Sequence, residues 1–407
     1  MITAAEALEK AKTIGGKDGL NCIAGLVDTA ESSSEGPLAG VPVLVKDNID
    51  VAGFPTTAGS LAMEDNMAET DAHIINNLRK NGAVIIGKTN MTELANFVSA
   101  QMPCGYSSRG GQVIHAVRPD LDPLGSSTGS AVAVAAGIVP MAVGTDTCHS
   151  ITGCAWGNGV CGLKPPAGAL SKEGILPLSK TLDSAGPMAM NMTDTLKLYS
   201  AMRDEPLPEI KKIEPEKLKI AVNIANAESN FSSAKLFIEY LFGIFKENGV
   251  KTGEVDQPPA LLISTLMKWD FRSSIEGYLK TRPTKIKTLK ELVDYYEANP
   301  DSMMKYGDGL LRSALDETTD KNEYRTVLEE RDKAIMDVTD EISGYDAVLM
   351  TAPTSVMHFC GLPTVTVAFD KKNKNGVRET VILYGADELR LYAAALTIED
   401  LVNSAES

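Results

Sequence analysis

The sequence predicts an α/β protein built on one large, mixed and mostly parallel β-sheet, flanked by helices on both faces. Strand-like apolar runs alternate with amphipathic helical segments in the first half of the 407-residue chain, and strand-like runs return near its end. This alternation is typical of a sheet that helices cover. Since strands occur at both ends, we expect a single domain over residues 1–407.

The first strand is predicted from Val41 to Val45 and leaves Lys46 at its polar exit. The next segment, DAHIINNLRKNG, places its apolar residues on one helical face, and Gly82 marks the end of that helix. The apolar run AVIIG that follows is predicted to be a buried strand. Lys46 is therefore expected where a strand of a covered sheet ends.

Residues 1–200 are expected to form the core that carries the chemistry. Within them, SAVAVAAG (130–137) is predicted to be a helix of small residues that can approach its neighbours closely, and IVPMAVGTD to be a strand. Residues 201–345 are charged and amphipathic, which indicates a helical covering region. Residues 346–407 contain further strand patterns and a closing helix.

Composition and charge favour a protein that acts on small molecules. The formal charge is −15, and no Lys/Arg run is dense enough to follow phosphates, so we expect neither nucleic acid nor membrane as a partner. The N-terminal residues are charged where a signal peptide is apolar, and no later apolar run is long enough to span a bilayer. We therefore expect a cytoplasmic location.

The cysteine pattern indicates reduced thiols. None of the six cysteines forms a C-x-x-C pair, so neither a disulfide framework nor a zinc ribbon is indicated. Cys148, His149 and Cys154 are close in sequence, but their spacing matches no usual zinc pattern and a fourth ligand is not evident. We expect no metal and no other cofactor.

Reactive side chains concentrate in three segments, around Lys46, around Ser126 and Ser127, and around Ser150. A serine is a weak nucleophile at neutral pH and needs a neighbouring base. The four histidines do not follow a G-x-S-x-G motif in the order of α/β-hydrolases, so a lysine is the alternative base. A lysine can act so only if burial or neighbouring groups lower its pKa from about 10.4.

The motifs KDNID, GSSTGSA, GTDTCHSI and GLKP occur in the order and approximate spacing of the amidase-signature family, which the chain resembles over most of its length. The resemblance implies that Lys46 is the base, Ser126 a bridging serine held by a cis peptide, and Ser150 the acylated nucleophile. It also implies an oxyanion hole in the nucleophile loop. The backbone N–H groups of that hole would belong to Thr147, Cys148, His149 and Ser150.

Several neighbouring residues have more than one reading. Ser127 is a substrate-binding candidate or a helix cap, and Asp146 is expected to hydrogen-bond the loop backbone. His149 stands where the family usually has glycine, and we expect its side chain to be packed or to face the substrate. Cys148 is a minor alternative nucleophile. We read His358 as structural.

The resemblance leaves three functions open. The first is an amidase for a small, uncharged carboxylic amide, because no arginine follows Ser150 within three residues to recognise a carboxylate. The second is a binding-only or impaired homologue, because His149 and Cys148 occupy the oxyanion loop. The third is a glutamyl-tRNA amidotransferase A-type subunit. The short connection between Pro353 and Gly361 leads us to expect an open site, and a homodimer is a family-level expectation.

Overall fold

A computed structural model describes residues 2–29, 35–225, 232–257, 260, 262–318, 320–350 and 354–406. Within these residues the strands are β1 (Ile23–Leu26), β2 (Pro42–Lys46), β3 (Val84–Thr89), β4 (Tyr106–Ser107), β5 (Gly111–Gln112), β6 (Met141–Asp146), β7 (Cys161–Lys164), β8 (Ser184–Ala189), β9 (Lys219–Asn223), β10 (Lys251–Val255), β11 (Ala347–Met350), β12 (Thr364–Lys372) and β13 (Arg378–Tyr384).

The helices of the same residues are α1 (Ala4–Thr13), α2 (His73–Lys80), α3 (Thr128–Ala135), α4 (Thr152–Asn158), α5 (Met192–Met202), α6 (Ser232–Glu247), α7 (Ile263–Lys280), α8 (Leu289–Ala298), α9 (Pro300–Met303), α10 (Gly309–Leu315), α11 (Lys321–Ile342), α12 (Val356–Cys360) and α13 (Glu388–Ala405). Short 3-10 helices occur at Leu61–Met63, Glu93–Asn96 and Pro215–Lys217. None of these helices is both long and apolar enough to cross a bilayer.

One sheet of eleven strands runs through the described structure in the order β1-β3-β2-β6-β8-β7-β12-β13-β11-β9-β10. Parallel pairing joins β3, β2 and β6 on one side and β11, β9 and β10 on the other. The remaining neighbours in the sheet pair antiparallel. Strands β4 and β5 form a separate two-stranded ribbon. The sheet therefore contains strands from both ends of the chain.

Helices cover both faces of the sheet, as the sequence predicts. Alternate residues of a strand point to opposite faces, and on β2 the buried side chains of Val43 and Val45 join a core cluster that includes residues of α2, α5, α6 and α13. Leu44, between them, joins a second cluster with residues of α1, α3 and α4. Both faces of β2 are therefore buried, and its last residue, Lys46, is fully enclosed.

The predicted helical covering region also contains strands, which corrects the expectation for residues 201–345. Strands β9 and β10 lie within it and extend the sheet beyond β11. The buried residues Ile220, Ala221 and Val222 form the middle of β9, but several charged residues precede this run. A strand this short has too little periodicity to be separated from amphipathic helical text.

The helix that precedes β3 ends where the sequence predicts. Helix α2 is followed by Gly82, whose φ is +90°. A Cβ atom at this position would lie 2.1 Å from the carbonyl oxygen of Glu35. Glycine is therefore required both for the left-handed backbone and for the close approach of the neighbouring chain.

Candidate active site

Lys46 occupies the C-terminal end of β2 and is fully buried. Its Nζ lies 2.7 Å from Ser126 Oγ, 2.9 Å from Ser127 Oγ and 2.8 Å from Thr145 Oγ1. A fourth contact joins it to the carbonyl oxygen of Thr145 at 3.2 Å. Hydroxyl groups both donate and accept hydrogen bonds, so this set can hold an uncharged amine as well as an ammonium.

The surroundings of Lys46 favour the uncharged amine. Burial lowers the pKa of Lys46 from 10.5 to about 7, and the more distant charges of Cys154, Asp146 and Asp183 only partly oppose this. Desolvation disfavours the charged form of a buried group. About half of the molecules therefore carry a neutral amine near pH 7, which is the form that can accept a proton.

Lys88 provides a contrast, since it is also buried in the same part of the sheet. Its Nζ lies 3.6 Å from a carboxylate oxygen of Asp47, with further contacts to carbonyl oxygens. Lys46 has no carboxylate within 4 Å among the described residues. Lys88 contacts one hydroxyl group, that of Thr56 at 3.3 Å, whereas Lys46 contacts the hydroxyl groups of Ser126, Ser127 and Thr145.

Ser126 and Ser127 immediately precede α3, and both hydroxyl groups contact Lys46 Nζ. Ser127 occupies the N-cap position, but its side chain makes no capping hydrogen bond. Its Oγ instead donates to the carbonyl oxygen of Thr145 at 2.9 Å and accepts from the N–H of Thr145 at 3.2 Å. The helix-cap reading of Ser127 is therefore wrong, because its hydroxyl is engaged by Lys46 and β6.

The chain turn before Ser126 differs from the expectation. All peptide bonds of the described residues are trans, so the cis peptide expected at Ser126 is wrong. Left-handed backbone at Leu124 and Gly125, both with φ of +56°, turns the chain instead. A Cβ atom on Gly125 would lie 2.6 Å from Cys154 Sγ and 3.1 Å from the carbonyl oxygen of His149. The glycine thus allows this turn to pack against the nucleophile loop.

The nucleophile loop connects β6 to α4 and carries Ser150, whose relative exposure is 7%. The N–H of Ser127 donates to the carbonyl oxygen of Ser150 at 3.1 Å, so the two serine segments are in direct contact. Asp146 Oδ2 accepts from the N–H groups of Ile151 at 2.7 Å and Thr152 at 3.1 Å. Asp146 therefore has the role that the sequence suggests, as an acceptor for the loop backbone.

The backbone donors expected to form an oxyanion hole lie beside Ser150. Among the described residues, the N–H groups of Thr147, Cys148, His149 and Ser150 have no hydrogen-bond acceptor. The side chain of Thr147 is held by Asp183, because its Oγ1 donates to Asp183 Oδ1 at 2.6 Å. These four N–H groups can donate to an anionic oxygen, such as that of a tetrahedral intermediate.

His149 has left-handed backbone, with φ of +65°. Such a conformation costs a residue with a side chain roughly 1 kcal/mol or more, but costs glycine little. The ring is packed: Nε2 lies 2.7 Å from the carbonyl oxygen of Thr354 and Nδ1 lies 3.1 Å from His358 Nε2. His149 therefore adopts the backbone for which the family uses glycine, and its side chain is packed, one of the two placements expected.

His358 extends this contact to Asp146. Its Nδ1 lies 3.5 Å from Asp146 Oδ1, and both residues are buried. These two atoms and the Nζ of the buried Lys164 have no hydrogen-bond partner among the described residues. Burial alone would raise the pKa of Asp146, but the positive charge that His358 carries when protonated and the ammonium of Lys164 outweigh it and lower this pKa. Burial, and repulsion from His149 when that ring is protonated, hold the pKa of His358 well below its ordinary 6.5.

Cys148 has little nucleophilic character. Burial, together with the negative charge of Asp146, raises the pKa of its thiol to about 12, so the thiolate is rare at neutral pH. The thiol of Cys154 donates to the carbonyl oxygen of Leu124 at 2.9 Å. The described residues contain no cluster of His, Cys, Asp or Glu that could hold a metal ion, and all six cysteines are free thiols.

Part of the connection expected to leave the site open lies outside the described residues, Pro353 included. The described part, α12, places His358 against the nucleophile loop. A small cavity of about 20 Å³, room for one water molecule, lies beside Thr145 and Thr147, and none of Lys46, Ser126 and Ser150 lines it. Its polar lining comes from Asn48, Thr145, Thr147, Lys172, Asp183 and Ser184. A larger cleft of about 640 Å³, near α5 and α13, contains none of the predicted catalytic side chains.

Comparison with protein families identifies the family of this chain. A family model described as Amidase matches residues 22–360. The chain belongs to the amidase family. A probable amidase of Arabidopsis thaliana is 40% identical over 181 residues, which are 44% of this chain and 35% of that protein. The A subunit of glutamyl-tRNA(Gln) amidotransferase from Methanococcoides burtonii is 42% identical over 182 residues, 44% of this chain and 37% of that one. The matched segments thus span about a third of these curated relatives.

Solved structures of amidases share the fold over nearly the whole chain. An amidase family protein from Bacillus anthracis has a TM-score of 0.88 at 25% identity, covering 98% of this chain and 88% of its own. The native peptide amidase of Stenotrophomonas maltophilia has a TM-score of 0.86 at 26% identity, covering 97% of this chain and 92% of its own. The predicted family and α/β fold are confirmed.

Sequence reasoning missed three contacts around the predicted site residues. Thr145 makes two contacts with Lys46, Asp183 holds Thr147, and His358 contacts His149. Thr145 lies within the GTDTCHSI motif and could have been found from it. Asp183 and His358 are 36 and 209 residues from their partners, and no local pattern announces contacts of that range.

Proposed function

We propose that this chain hydrolyses a small, uncharged carboxylic amide through an acyl-enzyme on Ser150. The observation that carries the proposal is the buried Lys46 amine, 2.7 Å from Ser126 Oγ and surrounded by hydroxyl and carbonyl oxygens. A base of lowered pKa beside a serine is the arrangement that nucleophilic catalysis requires.

The proposed reaction begins when neutral Lys46 accepts a proton from Ser126, which in turn accepts the proton of Ser150. The Ser150 oxygen attacks the amide carbon, and the negative charge that develops on the carbonyl oxygen is stabilised by the N–H groups of the nucleophile loop from Thr147 to Ser150. The relay then returns the proton to the departing nitrogen, so ammonia or an amine leaves. Water repeats the sequence on the acyl-enzyme and releases the acid.

The charges around the cavity support an uncharged substrate. Lys172 lines it, but its Nζ donates to the carbonyl oxygen of Lys180 at 2.7 Å and lies near the carboxylates of Asp183 and Asp270. These opposite charges offset one another within the protein. A substrate carboxylate would therefore gain little there, whereas a neutral amide group avoids the desolvation cost of an ion.

A screen of uncharged primary amides for ammonia release tests this function. Wild-type protein should release ammonia from at least one amide, and Lys46→Met should reduce kcat by roughly 10²-fold or more, the scale of general-base catalysis. Lys88→Met is the matched control, because it also removes a buried amine but leaves the relay intact. Lys88→Met should lower the free energy of unfolding and have little effect on kcat. Equal rates for wild type and Lys46→Met would instead favour a binding-only homologue.

Ammonia transfer from glutamine is a second candidate function, because the chain matches the A subunit of glutamyl-tRNA(Gln) amidotransferase at 42% identity over 44% of its length. In that case the same serine would take ammonia from glutamine. Glutamine hydrolysis, measured alone and with the partner subunits of such an enzyme, distinguishes the two functions. Homodimerisation and a cytoplasmic location remain predictions.

A further inference from the structure

The residue before Ser150 is the starting point, because His149 carries a side chain at a left-handed position. Its φ is +65°, and its N–H is one of the four loop donors that have no acceptor among the described residues. Left-handed backbone is strained for a residue with a Cβ and persists only where surrounding contacts determine it. The contacts of the His149 ring are among those that can hold this backbone.

Hydrogen-bond chemistry fixes the direction of those contacts. The carbonyl oxygen of Thr354 can only accept, so His149 Nε2, 2.7 Å away, carries the hydrogen. In a neutral ring His149 Nδ1 must then accept, and its donors are His358 Nε2 at 3.1 Å and, at a longer distance of 3.4 Å, Thr152 Oγ1. His358 therefore carries a hydrogen on Nε2, and its Nδ1 faces Asp146 Oδ1 at 3.5 Å, longer than a hydrogen bond. His358 is the nearer of the two donors to the His149 ring.

We propose that His358 is a positioning residue, which holds His149 in its left-handed conformation and thereby aims the N–H groups of the nucleophile loop at the reacting oxygen. Asp146 holds the C-terminal end of the loop through the N–H groups of Ile151 and Thr152. His358 holds the middle of the loop through the ring of His149. The catalytic part of this inference rests on the proposed function of Ser150.

A double-mutant cycle tests the proposal. His358→Phe keeps a ring against His149, where the two rings now pack edge to face with centroids 4.2 Å apart, but removes the donor. His358→Gln restores a donor near the position of Nε2. His149→Gly removes the need for an anchor, because glycine adopts positive φ without strain.

In the His149 background, His358→Phe should lower kcat by about 10-fold or more, part of the ~10²-fold effect of losing an oxyanion donor, with KM changed by less than about 3-fold. His358→Gln should recover most of that loss. In the His149→Gly background, His358→Phe should change kcat by less than about 2-fold. Equal losses in both backgrounds would overturn the proposal, because they would show that His358 contributes packing alone.

Hydrogen exchange of the amides from Thr147 to Thr152 gives a readout that does not depend on catalysis. His358→Phe should accelerate this exchange when residue 149 is histidine and not when it is glycine. If wild type neither hydrolyses amides nor acylates Ser150, the proposed function fails, but the exchange result still decides whether His358 anchors the loop. Unchanged exchange in His358→Phe would overturn the anchoring.

Discussion

The pH dependence of kcat/KM follows directly from the environment of Lys46. If its pKa is about 7, the neutral fraction is roughly 9% at pH 6 and roughly 91% at pH 8. Because the neutral amine is the base, kcat/KM should rise about tenfold over this interval and level off above pH 8. A lysine with the ordinary value of 10.5 would give a rise of about a hundredfold with no plateau.

The assay is ammonia release from an uncharged primary amide between about pH 5.5 and 9.5, an interval that brackets the expected midpoint, with kcat/KM taken from initial rates. This parameter reports the ionisation of the free enzyme. Burial keeps the pKa of His149 and of His358 below 6.5, so their protonation should not move the midpoint. Lys88→Met should keep the same midpoint. A midpoint above about 9 would refute the argument that burial prepares Lys46 as the base.

Three further outcomes are expected. Relative to Lys46→Met, wild type should gain about 1.4 kcal/mol of unfolding free energy per pH unit between about pH 8 and 10, because the unfolded lysine still binds a proton that the folded one has lost. Urea unfolding measures this free energy at each pH, and the same pH dependence in both proteins would contradict the prediction. Asp146→Asn should lower the unfolding free energy by about 2 kcal/mol, since it weakens charge-assisted bonds to Ile151 and Thr152; a loss below about 0.5 kcal/mol would argue against that anchoring. Iodoacetamide at pH 7 should leave Cys148 unmodified in mass mapping, because burial raises its thiol pKa to about 12; rapid alkylation would reopen its role as a nucleophile.

The sequence was most informative where chemistry and local periodicity coincide. The apolar run before Lys46 predicts a strand, and the observed β2 ends at Lys46, where burial on both faces of the sheet lowers the pKa of the amine. The motif around Ser150 likewise indicates a loop between a strand and a helix, as observed between β6 and α4. These features depend on residues close in the chain.

The features that sequence reasoning missed depend on distant contacts. Helix α12 packs against the nucleophile loop through the contact between His358 and His149, which lie 209 residues apart in the chain. Ser127 has the residue type and position of a helix cap, but its hydroxyl binds Lys46 and Thr145 instead. Tertiary contacts therefore override the local preference of Ser127 for capping the helix.

Mass-mapped phosphonylation of Ser150 by a fluorophosphonate, in which the serine oxygen displaces fluoride from phosphorus, tests the proton relay most directly when it is compared among wild type, Ser126→Ala and Lys46→Met at about pH 8. Wild type should be modified at Ser150, and both variants should react at least about 10²-fold more slowly, because each breaks the path between the nucleophile and its base. Modification of another residue, or equal rates in the three proteins, would contradict the relay.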